Sequence, residues 1–149
     1  MATKLLEITS TTPDTVSAES ALTLGRIDRK ISCGNNCGET FSYTAGTTSF
    51  TINQPGYYLI IYKMTMVSTV ADQQMIMSLN SNGAVISTAS SFASTLGSAN
   101  SVEGSKIVRL FPNCSNLGIN NIPVTFNITN TGTASTTVSE SNIIVIKIA

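Results

Sequence analysis

The residues that could carry chemistry in this chain are its three cysteines and its eight carboxylates, since it contains no histidine. Cys33 and Cys37 are separated by Gly-Asn-Asn, a spacing that could close a small disulfide or, together with Cys114, hold a metal. A zinc site usually needs four nitrogen or sulfur ligands, which one such subunit cannot supply. We therefore expect no metal site, and because the chain shows no export signal we expect reduced structural thiols.

The common catalytic arrangements are equally hard to assemble. Without histidine, no Ser-His, Cys-His or His-metal combination is available, and no glycine-rich phosphate loop is present. Asp14 and Glu19 are near each other in the sequence, and a glycosidase pair formed by these two carboxylates is a remote alternative. We expect no catalytic residue and no cofactor, and predict that the chain is not an enzyme.

Composition favours a single all-β domain. The 149 residues are 42% hydrophobic but only 11% charged, and polarity is carried mainly by serine, threonine and asparagine. Eight basic side chains balance eight acidic ones, so the chain has no excess positive charge that would attract nucleic acid or an anionic membrane. The one dense cluster, residues 26–30, is mixed in sign and fits a solvated segment better than a docking patch for an acidic partner.

Segments of β-strand character recur along the chain with turn residues between them, as in an antiparallel sandwich. The predicted strands are Ser49–Asn53, Tyr57–Val67, Gln74–Asn80, Ala84–Ser87, Lys106–Phe111, Val124–Thr129 and Asn142–Ile148. Asn82-Gly83 predicts a tight hairpin turn, and residues 88–102, which are small and polar, predict a surface loop. The last strand has little polar face, so we expect it in the middle of a sheet beside Tyr57–Val67.

The strand Tyr57–Val67 organises the rest of the chain. It alternates between two faces, and both are apolar up to Lys63. An antiparallel sheet normally buries one face and leaves the other in water. The second face therefore needs cover, which another copy of the chain in a closed symmetric oligomer would supply. The alternative is that both faces are buried within a monomer.

The N-terminal segment, residues 1–24, is predicted to be an extended arm with short edge strands, followed by the main domain at residues 25–149. The arm is too apolar for a free tail, so we expect it to lie on its own sandwich or on a neighbouring subunit. Glu7 falls where a signal peptide would need its apolar core, and the longest apolar run is too short for a membrane span. We expect a protein made in a cytoplasm without export by the ordinary route.

One spacing resembles a known family. Tyr43, Phe50, Gly56, Tyr58, Ile60 and Tyr62 are spaced like the second half of the signature of the tumour necrosis factor and complement-type globular head superfamily, with Ile60 in place of Phe. The hydroxyl-rich chain and its apolar ending are similar to the bacterial and phage branch. The resemblance implies a jelly-roll homotrimer in which one face of the central strand lines the core and the other meets neighbouring subunits.

Carried over residue by residue, the resemblance implies that Phe50, Gly56, Tyr58, Ile60 and Tyr62 form the core signature. It assigns the opposite face of the same strand to the trimer interface, through Tyr57, Leu59 and Ile61. Some relatives of this fold bind calcium, and Asp72, Glu103 and Glu140 are the carboxylates that could do so. Solvated loop carboxylates are the commoner explanation, so we expect no metal at these three residues either.

The absence of catalytic residues and the resemblance together leave two classes of function. The first is a structural protein of a phage virion, a capsid decoration or head-fibre protein that forms trimers on the particle and contacts a capsid shell protein through the N-terminal arm. The second is a trimeric adhesin head that binds a receptor or glycan on a cell or spore surface. Neither class involves nucleic acid or a membrane as a partner.

Overall fold

The computed structural model describes residues 3–32, 38–113 and 120–149. These residues form β-strands and no helix: β1 Leu5–Ser10, β2 Asp14–Val16, β3 Arg26–Ile31, β4 Phe41–Ser42, β5 Ser49–Ile52, β6 Gly56–Ser68, β7 Gln73–Ser81, β8 Ala84–Ala93, β9 Ala99–Leu110, β10 Val124–Asn130 and β11 Thr136–Lys147. No helix in the described part of the chain is long and apolar enough to cross a membrane.

The strands form two packed sheets whose pairings are all antiparallel. Sheet A has the order β3-β1-β11-β6-β9, with β2 also paired to β11, and sheet B has the order β4-β5-β10-β7-β8. The predicted all-β antiparallel jelly-roll sandwich is confirmed. The last strand, β11, lies in the middle of sheet A beside β6, as its lack of a polar face predicted.

The core lies between the two sheets and is built from inward residues of both sheets. Alternation along β6 turns Tyr58, Ile60 and Tyr62 inward, and all three are fully buried. From sheet B, the ring of Phe50 stacks on that of Phe126 with centroids 5.4 Å apart. These large side chains fill the space between the sheets and fix which face of β6 points away from the core.

Two glycines allow close approaches that a side chain would block. Gly56 begins β6 with a φ of 141°, and a Cβ there would lie 2.5 Å from the backbone oxygen of Ala149. On β9, a Cβ at Gly104 would lie 2.2 Å from Cζ of Tyr62. The turn between β7 and β8 contains Asn82 and Gly83, both with positive φ, which confirms the predicted hairpin.

Residues 88–102 were predicted to form a surface loop, and this prediction is wrong for most of the segment. β8 continues to Ala93 and β9 begins at Ala99, so only residues 94–98 connect strands. The small polar side chains give no strand signal by themselves. Their backbone groups are instead paired with β7 on one side and β6 on the other, an effect of tertiary context.

The N-terminal segment lies on the chain's own sandwich. β1 pairs with both β3 and β11, so it is an inner strand of sheet A rather than an edge strand. Further along, Leu22 donates its backbone N–H to Ile128 in sheet B, and Leu24 donates to Thr47. The segment therefore joins both sheets, and the division into an arm and a domain at residue 24 stays a prediction.

The three cysteines lie outside the described residues, as does most of the loop that contains Cys114. The expectation that Cys33, Cys37 and Cys114 are reduced therefore stays a prediction.

Candidate functional site

The face of sheet A that points away from the core, called here the outer A face, carries an apolar row across the whole sheet. Leu5 pairs with Ile31 on one side and Ile146 on the other, and Leu59 continues the row between Ile146 and Ile107. Side chains directly opposite each other on one face of a sheet are in contact. The row is therefore a continuous apolar band five strands wide.

The neighbouring row extends this band towards the centre of the sheet. It consists of Arg29, Glu7, Ile144, Ile61 and Ser105, in strand order. Its two central members, Ile144 and Ile61, face each other across β11 and β6. The outer A face is thus apolar in the middle and becomes polar at both edges of this second row.

The three residues assigned to a trimer interface lie on this face. In the single subunit, Leu59 and Ile61 are half-buried, and Tyr57 is 40% exposed. Tyr58, Ile60 and Tyr62 of the core signature, on the same strand, are turned the other way and buried. The strand therefore separates the two sets of side chains, and the role of Tyr57, Leu59 and Ile61 between subunits stays a prediction.

An arginine held between two aromatic rings lies at one end of the outer A face. Arg109 on β9 is opposite Tyr57 on β6, and its guanidinium carbon is 5.5 Å from the Tyr57 ring centroid and 4.7 Å from that of Phe111. At these distances the guanidinium is attracted by both rings through cation–π interaction. None of the described carboxylates forms an ion pair with Arg109.

Sequence reasoning did not find the Arg109 cluster. The alternation Ile107-x-Arg109-x-Phe111 does place three large side chains on one face of a strand, which is a usable signal. The partner Tyr57 is far away in the sequence, however, and only the register between β6 and β9 brings it to Arg109.

The opposite end of the outer A face is a shallow polar groove of about 370 Å³. Lys63 and Glu103 are paired across β6 and β9 with 3.9 Å between nitrogen and oxygen, and both side chains are more than half exposed. Asn142 donates to Glu7 and Thr9 at its margin. An exposed, screened pair of this kind contributes little to stability.

The carboxylates named from the sequence are spread over this end of the molecule. Glu103 and Glu140 both line the polar groove, whereas Asp72 lies in the turn between β6 and β7. Asp14 accepts the backbone N–H of Thr23 at 2.9 Å. Over residues 3–32, 38–113 and 120–149, no three metal-ligating side chains form a group that could hold an ion.

The shifted pKa values among the described residues have structural causes. Burial raises the pKa of Tyr58 to about 12, because its phenol lies in the core, where its hydroxyl donates to the backbone oxygen of Gln54. The hydrogen bond and charge of Lys30 lower the pKa of Glu39. Each of these two shifts accompanies a packing or pairing role.

Solved structures with this architecture come from different kinds of protein. The chain superimposes on the globular domain of zebrafish complement 1qA with a TM-score of 0.66 at 11% identity, covering 98% of both chains. For Eiger TNF from S. frugiperda the TM-score is 0.74 at 9% identity, with 100% and 94% covered. The fold is the tumour necrosis factor/complement 1q-like jelly roll.

A third structure with this jelly roll is the PRD1 vertex protein P5. It superimposes with a TM-score of 0.56 at 16% identity, covering 98% of this chain and 97% of that one. No family model and no curated protein sequence matches the chain. The likeness between these jelly rolls is therefore one of fold.

Proposed function

We propose that this chain is a non-enzymatic structural protein of a phage virion, a capsid decoration or head-fibre protein that forms homotrimers on the particle surface. This role requires two properties, trimerisation and attachment to a shell. They rest on different observations and are tested separately.

The apolar surface of the outer A face is the observation that supports the trimer. Its apolar band includes Leu59, Ile61, Ile144 and Ile146 and extends to Ile107, whose side chain is 57% exposed in one subunit. Covering such side chains would contribute about 1.5–3 kcal/mol for each one fully buried. An apolar band as wide as the sheet is therefore better explained by a neighbouring copy than by water.

A three-fold ring needs a second surface, because its contacts are heterologous and the face of one subunit must meet a different region of the next. Exposed apolar side chains are present on β8 and in the turns beside it. They are Val85, Phe92 and Leu96, at 53%, 56% and 62% exposure. We assign this edge to the contact with the outer A face of the adjacent subunit.

The virion role is supported by the likeness to a vertex protein of PRD1, with the same fold over nearly the whole length of both chains. The partner in this role is a capsid shell protein. Because β1 is built into sheet A, the arm offers such a partner the segment before β1, where Thr3 is exposed and Lys4 lies beside Lys147 at the start of β6.

The virion role is tested by mixing the purified protein with shells of its own phage that lack it, then isolating the shells by sedimentation. We expect binding that saturates at a fixed number of trimers per shell. Binding that increases without saturating, or no binding, would contradict a decoration role. Attachment of the trimer to host cells without any affinity for shells would instead support the adhesin alternative.

A further inference from the structure

The charged side chains are sorted between the two ends of the sandwich, although the chain as a whole is neutral. The end where β6 begins, called here the basic end, holds five cations and one carboxylate: Lys4, Lys30, Lys106, Arg109, Lys147 and Glu39. The end where β6 finishes, the acidic end, holds five carboxylates and two cations: Asp14, Glu19, Asp72, Glu103, Glu140, Arg26 and Lys63. Glu7, Asp28 and Arg29 lie between them.

Strand register fixes this division. Along β6, Tyr57 is opposite Arg109 and Tyr58 is opposite Lys147, both near its start, whereas Lys63 and Thr65 are opposite Glu103 and Glu140 in its second half. The basic end therefore has four more positive than negative charges, and the acidic end has three more negative than positive.

The two ends act as separate surfaces at physiological salt. The nearest opposite charges of the two ends are three residues apart along β9, at Lys106 and Glu103, which is roughly 10 Å at about 3.3 Å per residue. Charges on exposed groups are screened over about 8 Å at physiological ionic strength. A partner at one end thus experiences mainly the charge of that end.

The basic end also exposes apolar and aromatic surface. Ile148 is 49% exposed. The guanidinium carbon of Arg109 lies 4.7 Å from the centroid of the Phe111 ring and 5.5 Å from that of Tyr57, which belongs to the face assigned to the trimer contact. Lys147 lies 5.9 Å from the centroid of the Tyr58 ring, with its stem against Gly56. Arginine beside aromatic and aliphatic side chains is typical of the residues that dominate protein–protein binding energy.

This composition favours a protein partner over nucleic acid or an anionic lipid surface. Nucleic acid and anionic lipid surfaces are met by dense arrays of freely mobile lysines and arginines. Here one of the five cations is paired with Glu39, one is stacked between rings, and Lys4 is bound to Gln54. A partner that offers carboxylates next to apolar side chains fits this end better.

We propose that the basic end docks onto an acidic protein surface. Identification of this partner as the capsid shell rests on the proposed virion role. The docking proposal adds to that role, because it predicts which end of each subunit faces the particle. In a trimer whose three-fold axis runs along the strands, the three basic ends lie together on one side of the assembly. The acidic end would then point away from the shell.

The test uses a fluorescent random copolymer of glutamate and tyrosine as the acidic protein probe, with binding followed by anisotropy at about 50 mM and about 150 mM salt. The basic-end variant is Lys106→Gln/Arg109→Gln. The matched control is Arg26→Gln/Lys63→Gln, which removes the same two residue types from the acidic end. We expect the basic-end variant to bind about tenfold more weakly than the wild type, and the control to stay within about twofold.

Several results would overturn the docking proposal. They are no binding of the copolymer, an equal loss in both variants, or tighter binding of a thymidine oligonucleotide or of phosphatidylserine vesicles than of the copolymer. If the solution mass of the protein increases with its concentration and salt abolishes this increase, the basic end instead binds the acidic end of another copy.

A Leu59→Asp variant separates this proposal from the trimer. If that variant keeps the wild-type mass while the copolymer still binds through Lys106 and Arg109, the trimer interface is wrong and the docking end stands. If the variant is monomeric and the copolymer result is negative, the trimer stands and the docking end is wrong.

Discussion

At the scale of single residues, Tyr62 links the two sheets. Its ring leaves β6 on the inward side, passes over Gly104 of β9 and brings its hydroxyl to 2.8 Å from that of Ser87 on β8. The residue is fully buried. Gly104 is therefore required by the neighbouring ring rather than by its own backbone conformation.

Replacing Gly104 with alanine should destabilise the protein by about 1–3 kcal/mol, because the new methyl group would overlap the Tyr62 ring and force it off its position. Urea unfolding measures the change. The control is the same substitution in a Tyr62→Leu background, where the ring is absent and the added cost of alanine should be small. An unchanged stability of Gly104→Ala would contradict this packing.

The residue scale also shows where sequence reasoning is strong. The two-residue period of β6 correctly separated Tyr58, Ile60 and Tyr62 from Tyr57 and Leu59, since alternation is a local property of any strand. It could not find the contact of Tyr57 with Arg109. That contact depends on how two strands far apart in sequence are aligned.

At the scale of elements, the N-terminal segment closes the sandwich. Among the described strands, β1 is the only pairing partner of β3, and Leu6, Ile8, Leu22 and Leu24 are all at most 1% exposed. A tail that merely lay on the surface would not supply four fully buried side chains.

Deleting residues 1–24 should therefore prevent folding rather than release a shorter trimer, since it removes an inner strand and leaves β3 and β11 unpaired at that edge. Circular dichroism and urea unfolding measure the outcome. A truncated chain that keeps cooperative unfolding would show that the segment is an accessory arm.

Two adjacent leucines on β1 provide the point-mutation control for that deletion. Leu6→Ala should cost about 2–5 kcal/mol because Leu6 is in the core. Leu5→Ala, on the outer A face, should cost clearly less in the subunit itself.

At the scale of the whole molecule, the unexplained property is the apolar outer A face. In a monomer it would be a broad exposed apolar patch, which soluble proteins generally avoid. A charge at its centre tests whether another copy covers it.

Leu59→Asp should convert a trimer into monomers, because it would bury an unpaired carboxylate in the contact. Light scattering gives the solution mass of the wild type and the variant. Thr65→Asp, on the same face of β6 but beside the polar groove, is the matched control and should stay trimeric. A monomeric wild type, or a trimeric Leu59→Asp variant, would contradict the assigned interface.

The sequence by itself determined the fold class, the two faces of the central strand and the central place of the final strand. Each of these follows from the alternation of residues along a strand or from the absence of a polar face, and both are local properties of the sequence. It also determined that the net charge is zero. Only the tertiary structure decided that β1 is an inner strand, that residues 88–102 are mostly paired, and that cations and carboxylates are sorted to opposite ends. These properties depend on the register between strands. Strand pairing decides which residues far apart in the sequence become neighbours in the sheet, and no local sequence pattern specifies that pairing.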